Sequence, residues 1–169
     1  MTEIEREKEK LYQKAVANAL WAKGISAQVE ETTEIVKSYL EKATTLTAKI
    51  IKETQLAESF AKVENLPDSR KCMDKSNNIN IDFTELLTAL QKEESAVKEK
   101  VEELKGIQKT VMTANETADD ISVEIKEVEK ALGNAKSSYQ QISELVLQAE
   151  KHVSEVTKAI NHAAHIVTA

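Results

Sequence analysis

Asp74, Ser76, Asn78, Asp82 and Glu85 are the residues of this chain whose types and spacing come nearest to a recognised chemistry. All five carry side-chain oxygen. They fall at the first, third, fifth, ninth and twelfth places of the stretch Asp74 to Glu85, the places from which an EF-hand-like loop offers oxygen ligands to calcium. Ile81 fills the hydrophobic place of such a loop, and Leu86-Leu87 follows as the start of an exiting helix. The sixth place, where a sharp turn calls for glycine, is Ile79. There is no second loop to pair with. Calcium is thus the one candidate cofactor, held weakly by these five residues. The competing and preferred reading is a polar linker, with Asp82 as the N-cap of a following helix and Glu85 at capping-box distance.

Three histidines, His152, His162 and His165, are the other candidate ligands. His162 and His165 are three apart and share a helix face. No acidic or cysteine ligand stands at matching spacing along the chain, so the pair reads as helix surface rather than as a zinc site. Cys72 is the single cysteine, which rules out an intramolecular disulfide and leaves a free or intermolecular thiol. Asn115-Glu116-Thr117 is an N-glycosylation triplet that has meaning only in a secreted chain. No nucleophile elbow, phosphate-cradling glycine loop or zinc-protease motif is present. Nothing in the residues supports an enzyme.

The elements that position these residues are long helices. Of the 169 residues, 41% are hydrophobic, 4% aromatic and 31% charged, with three glycines and one proline. Such a composition describes helices packed along thin aliphatic seams. The most regular seam runs Ile107, Val111, Ala114, Ala118, Ile121, Ile125, Val128, Leu132 and on to Val167, in steps of four and three. That spacing places one stripe of side chains against a partner helix. A second seam runs from Leu11 through Ala15, Asn18, Ala22, Ile25, Val29, Thr32, Val36 and Ala43 to Ile50. Its helix covers about 3–65, on the order of 90 Å at 1.5 Å per residue. Asn18 and Thr32 are polar members of that stripe, and either fix register or face solvent.

Pro67 ends this first helix, and the Asn-rich segment 66–81 is expected to be the main connection, with one short helical turn inside it. The seam restarts at Phe83 and makes one short step, Leu104 to Ile107, at Gly106. Leu132-Gly133-Asn134 reads as a helix end with Gly133 in the left-handed conformation. Two architectures compete here. Helices over about 83–132 and 135–168 would complete an elongated, antiparallel, coiled-coil-like three-helix bundle. A single helix of roughly 85 residues would instead leave seam uncovered and require a dimer. The turn at Gly133 is favoured, giving one all-α domain over 1–169.

The formal charge of −6, with acidic and basic residues mixed along the outer faces, excludes the positive stripe that broad nucleic-acid binding needs. Partners are therefore expected to be proteins, or a second copy meeting helical seams. A membrane would be reached only through an anchor absent from this chain, since no apolar run approaches the ~20 residues of a span.

The Ala/Glu-rich helices, the scarcity of aromatics, and the segments Thr113-Ala114-Asn115-Glu116-Thr117-Ala118 and Ala131-Leu132-Gly133-Asn134-Ala135-Lys136 resemble the glutamate/alanine-rich helical-bundle surface coat proteins of trypanosomes. The resemblance implies a lipid-anchored ectodomain at the cell surface, serving as a protective or host-facing coat. The unpaired Cys72 and the lack of a signal-peptide core support a rival setting, a cytoplasmic coiled-coil scaffold or tether subunit. A calcium-responsive module built on 74–85 is the third reading.

Overall fold

The computed structural model describes residues 2–114 and 120–168. They form three helices, α1 (Glu3–Lys62), α2 (Leu66–Ala114) and α3 (Ser122–Thr168), with each helix packed against both others and no strand among the described residues. The expected all-α three-helix bundle is present. Two of its expected boundaries are not, and both differences have physical causes.

The connection from α1 to α2 is three residues, Val63, Glu64 and Asn65, not the segment 66–81. Glu64 adopts a left-handed backbone (φ 63°). Its N–H donates to the carbonyl of Ala61 at 3.1 Å, and the N–H of Asn65 donates to that of Phe60 at 2.8 Å. Two carbonyls left over at the end of α1 are satisfied in this way. Asn65 then caps α2. Its side-chain oxygen accepts from the N–H of Asp68 at 3.4 Å, while its amide donates to the Asp68 carboxylate at 2.8 Å. Pro67 lies in the first turn of α2, where its missing N–H costs nothing.

Helix α2 continues through 66–81 because the seam does not start at Phe83. It reaches back through Ile79, Ser76, Met73, Cys72 and Ser69, in steps of three and four disguised by two serines. Both serines are fully buried and both are satisfied. Ser69 donates across to the α1 carbonyl of Ala57 at 2.7 Å, and Ser76 to its own helix at Met73, 2.9 Å. Asp74, Lys75, Asn77 and Asn78 lie on the outer face. The polar look of this segment comes from its solvent side and from two small seam residues.

Gly133 ends nothing. α3 runs through it with a negative φ, and Gly133 and Asn134 are exposed between buried Leu132 and Ala135. A glycine on the solvent face of a helix costs about 1 kcal/mol relative to alanine, less than the burial of the apolar residues on either side contributes. The expected helices 83–132 and 135–168 are therefore replaced by α2 and α3 as given above. Ahead of α3, the Asp120 carboxylate accepts from the backbone N–H and the hydroxyl of Ser122 at 3.1 and 2.6 Å. The hydroxyl bond and then the backbone bond hold its pKa below the usual carboxylate value. At the other end of the chain Thr2 and Glu5 exchange side-chain-to-backbone bonds of 3.1 Å, a capping box at the start of α1.

The chain divides into two compact units, and all three helices contribute to each. Met1–Glu34 with Glu93–Ile142 form one, and Ile35–Lys92 with Ser143–Ala169 the other. In the first, Ala19, Ala22 and Val29 of α1 are buried together with Leu104 and Val111 of α2 and Val128 and Ala135 of α3. In the second, Ala43 and Ile50 pack with Phe83 and Val156, and a further cluster joins Ala57, Cys72, Met73 and Ala163. The small side chain of Ala43 on α1 leaves room for Phe83 of α2. Thr32, Thr33 and Thr47 are buried there without penalty, because each hydroxyl donates to the carbonyl one turn back, at 2.8–3.2 Å. Thr32 is thus a buried seam member, while Asn18 is half-buried.

Candidate functional site

The five candidate calcium ligands lie on one unbroken helix. Asp74, Asn78, Asp82 and Glu85 follow one another along its outer face at steps of four, four and three, whereas Ser76 is turned into the core. At 1.5 Å per residue, Asp74 and Glu85 are about 16 Å apart along the axis. A calcium ion needs six to eight oxygens at about 2.3–2.6 Å, which a loop delivers and a straight helix does not. Ile81, expected to be the loop's hydrophobic residue, is 57% exposed. Asp82 is a mid-helix residue and caps nothing. The loop expected at 74–85 is absent, and the polar-linker alternative is absent with it.

The histidines lie on the second unit. His162 Nδ1 stands 2.6 Å from the Glu58 carboxylate of α1. A carboxylate only accepts, so Nδ1 carries the hydrogen of this contact. His152 lies with Nε2 3.4 Å from the hydroxyl of Thr44, and Thr44 itself donates to Leu40. Its Nδ1 is buried without a hydrogen-bond partner, 3.6 Å from the Glu155 carboxylate. His165 is exposed in the last turn of α3. The acidic partner missing along the sequence beside His162 is supplied by another helix. Even so, no group of three His, Cys, Asp or Glu that could hold a metal occurs among the described residues.

Cys72 is free and buried. Burial pushes its thiol up from the ordinary value of 9.0. The neighbouring Glu53 carboxylate raises it further, by hydrogen bonding and by charge, against a smaller opposing effect of Lys75. It is a protonated side chain of the core at neutral pH and not a ready nucleophile. The glycosylation triplet, including Asn115, lies outside the described residues.

The surface offers open grooves between helices. In the first unit one lies between α1 and α3, over Ala27 and Ala131, and Lys23 meets Glu127 across it at 3.3 Å. In the second unit another lies between α1 and α2, over Leu46 and Leu86, with Lys42, Lys49 and Asp82 beside it. Leu20 and Trp21, expected from their place beside the α1 seam to widen its buried face, lie instead on the outer face of α1. Leu20 and Trp21 are 63% and 52% exposed there. Periodicity misplaces them, because apolar residues beside a seam read as a widening of that seam. No protein-family model matches the chain, and no similar curated sequence or solved structure is found.

Proposed function

We propose that this chain is a non-enzymatic structural and interaction protein, a helical bundle that presents polar helix faces to protein partners. The observation that carries this reading is the source of its core. Val29, Val36 and Ile50 of α1, Leu90 and Leu104 of α2, and Val128 and Ile142 of α3 are each fully buried, by helices of the same chain. A coiled-coil subunit that pairs with another chain would keep such a seam for its partner. A chain that uses its seams internally suits a self-contained ectodomain, and that favours the coat-protein setting suggested by the Ala/Glu-rich helices. The grooves between helices are open, and their charged rims suit contact with proteins better than capture of a small molecule.

Labelling of intact cells that make the natural protein with a membrane-impermeant amine reagent tests the setting. A coat protein is labelled on intact cells. Labelling only after lysis would reject the surface setting and leave the scaffold subunit, the reading that the free thiol of Cys72 favours.

A further inference from the structure

We infer that the outer face of α1 around Leu20 and Trp21 is a pairing surface for a second copy of this chain, engaged antiparallel about a two-fold axis. The chain is 31% charged, yet Ala15 to Val29 contains one charged residue, Lys23. That lysine meets Glu127 across the groove towards α3. Between Lys14 and Glu30 the outer face therefore carries no further charge, and Leu20 and Trp21 stand exposed on it.

The face is self-complementary when read in both directions from the Leu20–Trp21 peptide bond. Ala17 and Gly24 stand at equal distances on either side, both exposed. A Cβ built on Gly24 would meet nothing within 4 Å, so the space above it is open. Further out are Gln13 and Gln28, and beyond them Lys10 and Glu31, again at equal distances and exposed. Ala17, Gly24, Lys10 and Glu31 recur every seven residues, so they lie on one stripe of the helix. In an antiparallel pair Leu20 of one copy faces Trp21 of the other. The two small residues make room for these side chains, the glutamines face each other, and Lys10 faces Glu31 at both ends. A parallel pair would set Lys10 against Lys10 and Glu31 against Glu31. The charges thus select a second copy as the occupant and fix its direction.

The contact covers about six turns of one narrow helix face with small side chains at its centre, below the roughly 800 Å² per partner of a standard stable interface, so the pairing is weak. It operates where the protein is concentrated. Because it is a property of an exposed face, it stands or falls independently of the cellular setting.

Sedimentation velocity of the full chain from about 1 µM to about 1 mM tests it, with the emission of the single tryptophan recorded alongside. The expected result is a monomer at the low end and a dimer at the high end, with a blue shift of emission as the dimer forms. Leu20→Glu abolishes both changes. Lys10→Glu alone and Glu31→Lys alone each weaken pairing about tenfold, because both symmetry-related contacts become repulsive. The double variant Lys10→Glu/Glu31→Lys restores it. A chain that stays monomeric to the highest concentration overturns the inference. So does a dimer indifferent to Leu20→Glu, and so does failure of the double variant to rescue. All of these residues are exposed, and unchanged helical circular dichroism confirms that each variant is folded.

Discussion

Ser69 joins two helices through one proton. Its hydroxyl donates to the Ala57 carbonyl of α1 with no exposure to solvent. Ser69→Ala should destabilise the protein by about 1 kcal/mol, the usual net worth of such a bond, as read from the midpoint of urea unfolding. The loss is modest because an Ala57 carbonyl in mid-helix still has its own helical donor. One turn along, Cys72 makes a different prediction. Its raised pKa gives stability that is fully present below the thiol's ordinary value of 9.0 and is lost as pH rises through the higher folded value. Stability should therefore decline in the alkaline range in the wild type and less steeply in Cys72→Ala. In the same experiment at neutral pH, a thiol reagent should react with native Cys72 far more slowly than with the unfolded chain. Neither role was legible in the sequence. A serine in an Asn-rich stretch looks like linker, and only the facing carbonyl of Ala57 and carboxylate of Glu53 show what Ser69 and Cys72 do.

At the scale of the helices, the heptad seams of α1 and α3 were legible from spacing alone, and so was the all-α class. The ends were not. Gly133 carries the local signature of a helix end, but the seam through Leu132 and Ala135 outweighs it. Substitution separates the two readings. Gly133→Ala should stabilise the protein by about 1 kcal/mol, since alanine is the better residue on an exposed helix face. At a left-handed helix end the same change would destabilise. The true end of α1 shows the opposite preference. Glu64 is the left-handed residue there, and Glu64→Gly should stabilise by about 1 kcal/mol by removing the strain of a side chain in that conformation. Thermal or denaturant unfolding of the two variants checks both signs. Asn65 and Asp68, three apart and flanking Pro67, carry the signature of a reciprocal cap at the start of α2. The calcium-like pattern misled for a related reason. Residues spaced to converge in a loop also recur along one face of a helix.

At the scale of the whole chain, three helices contribute to both compact units, and each unit has a core drawn from all of them. A single chain covers its own seams and leaves an exposed face of α1 for weak pairing. Multi-angle light scattering at low micromolar concentration tests it most directly. The predicted mass is that of one chain, for the wild type and for Leu20→Glu alike. A mass of two chains that persists in Leu20→Glu would contradict the account, because the seams themselves would then be shared between copies.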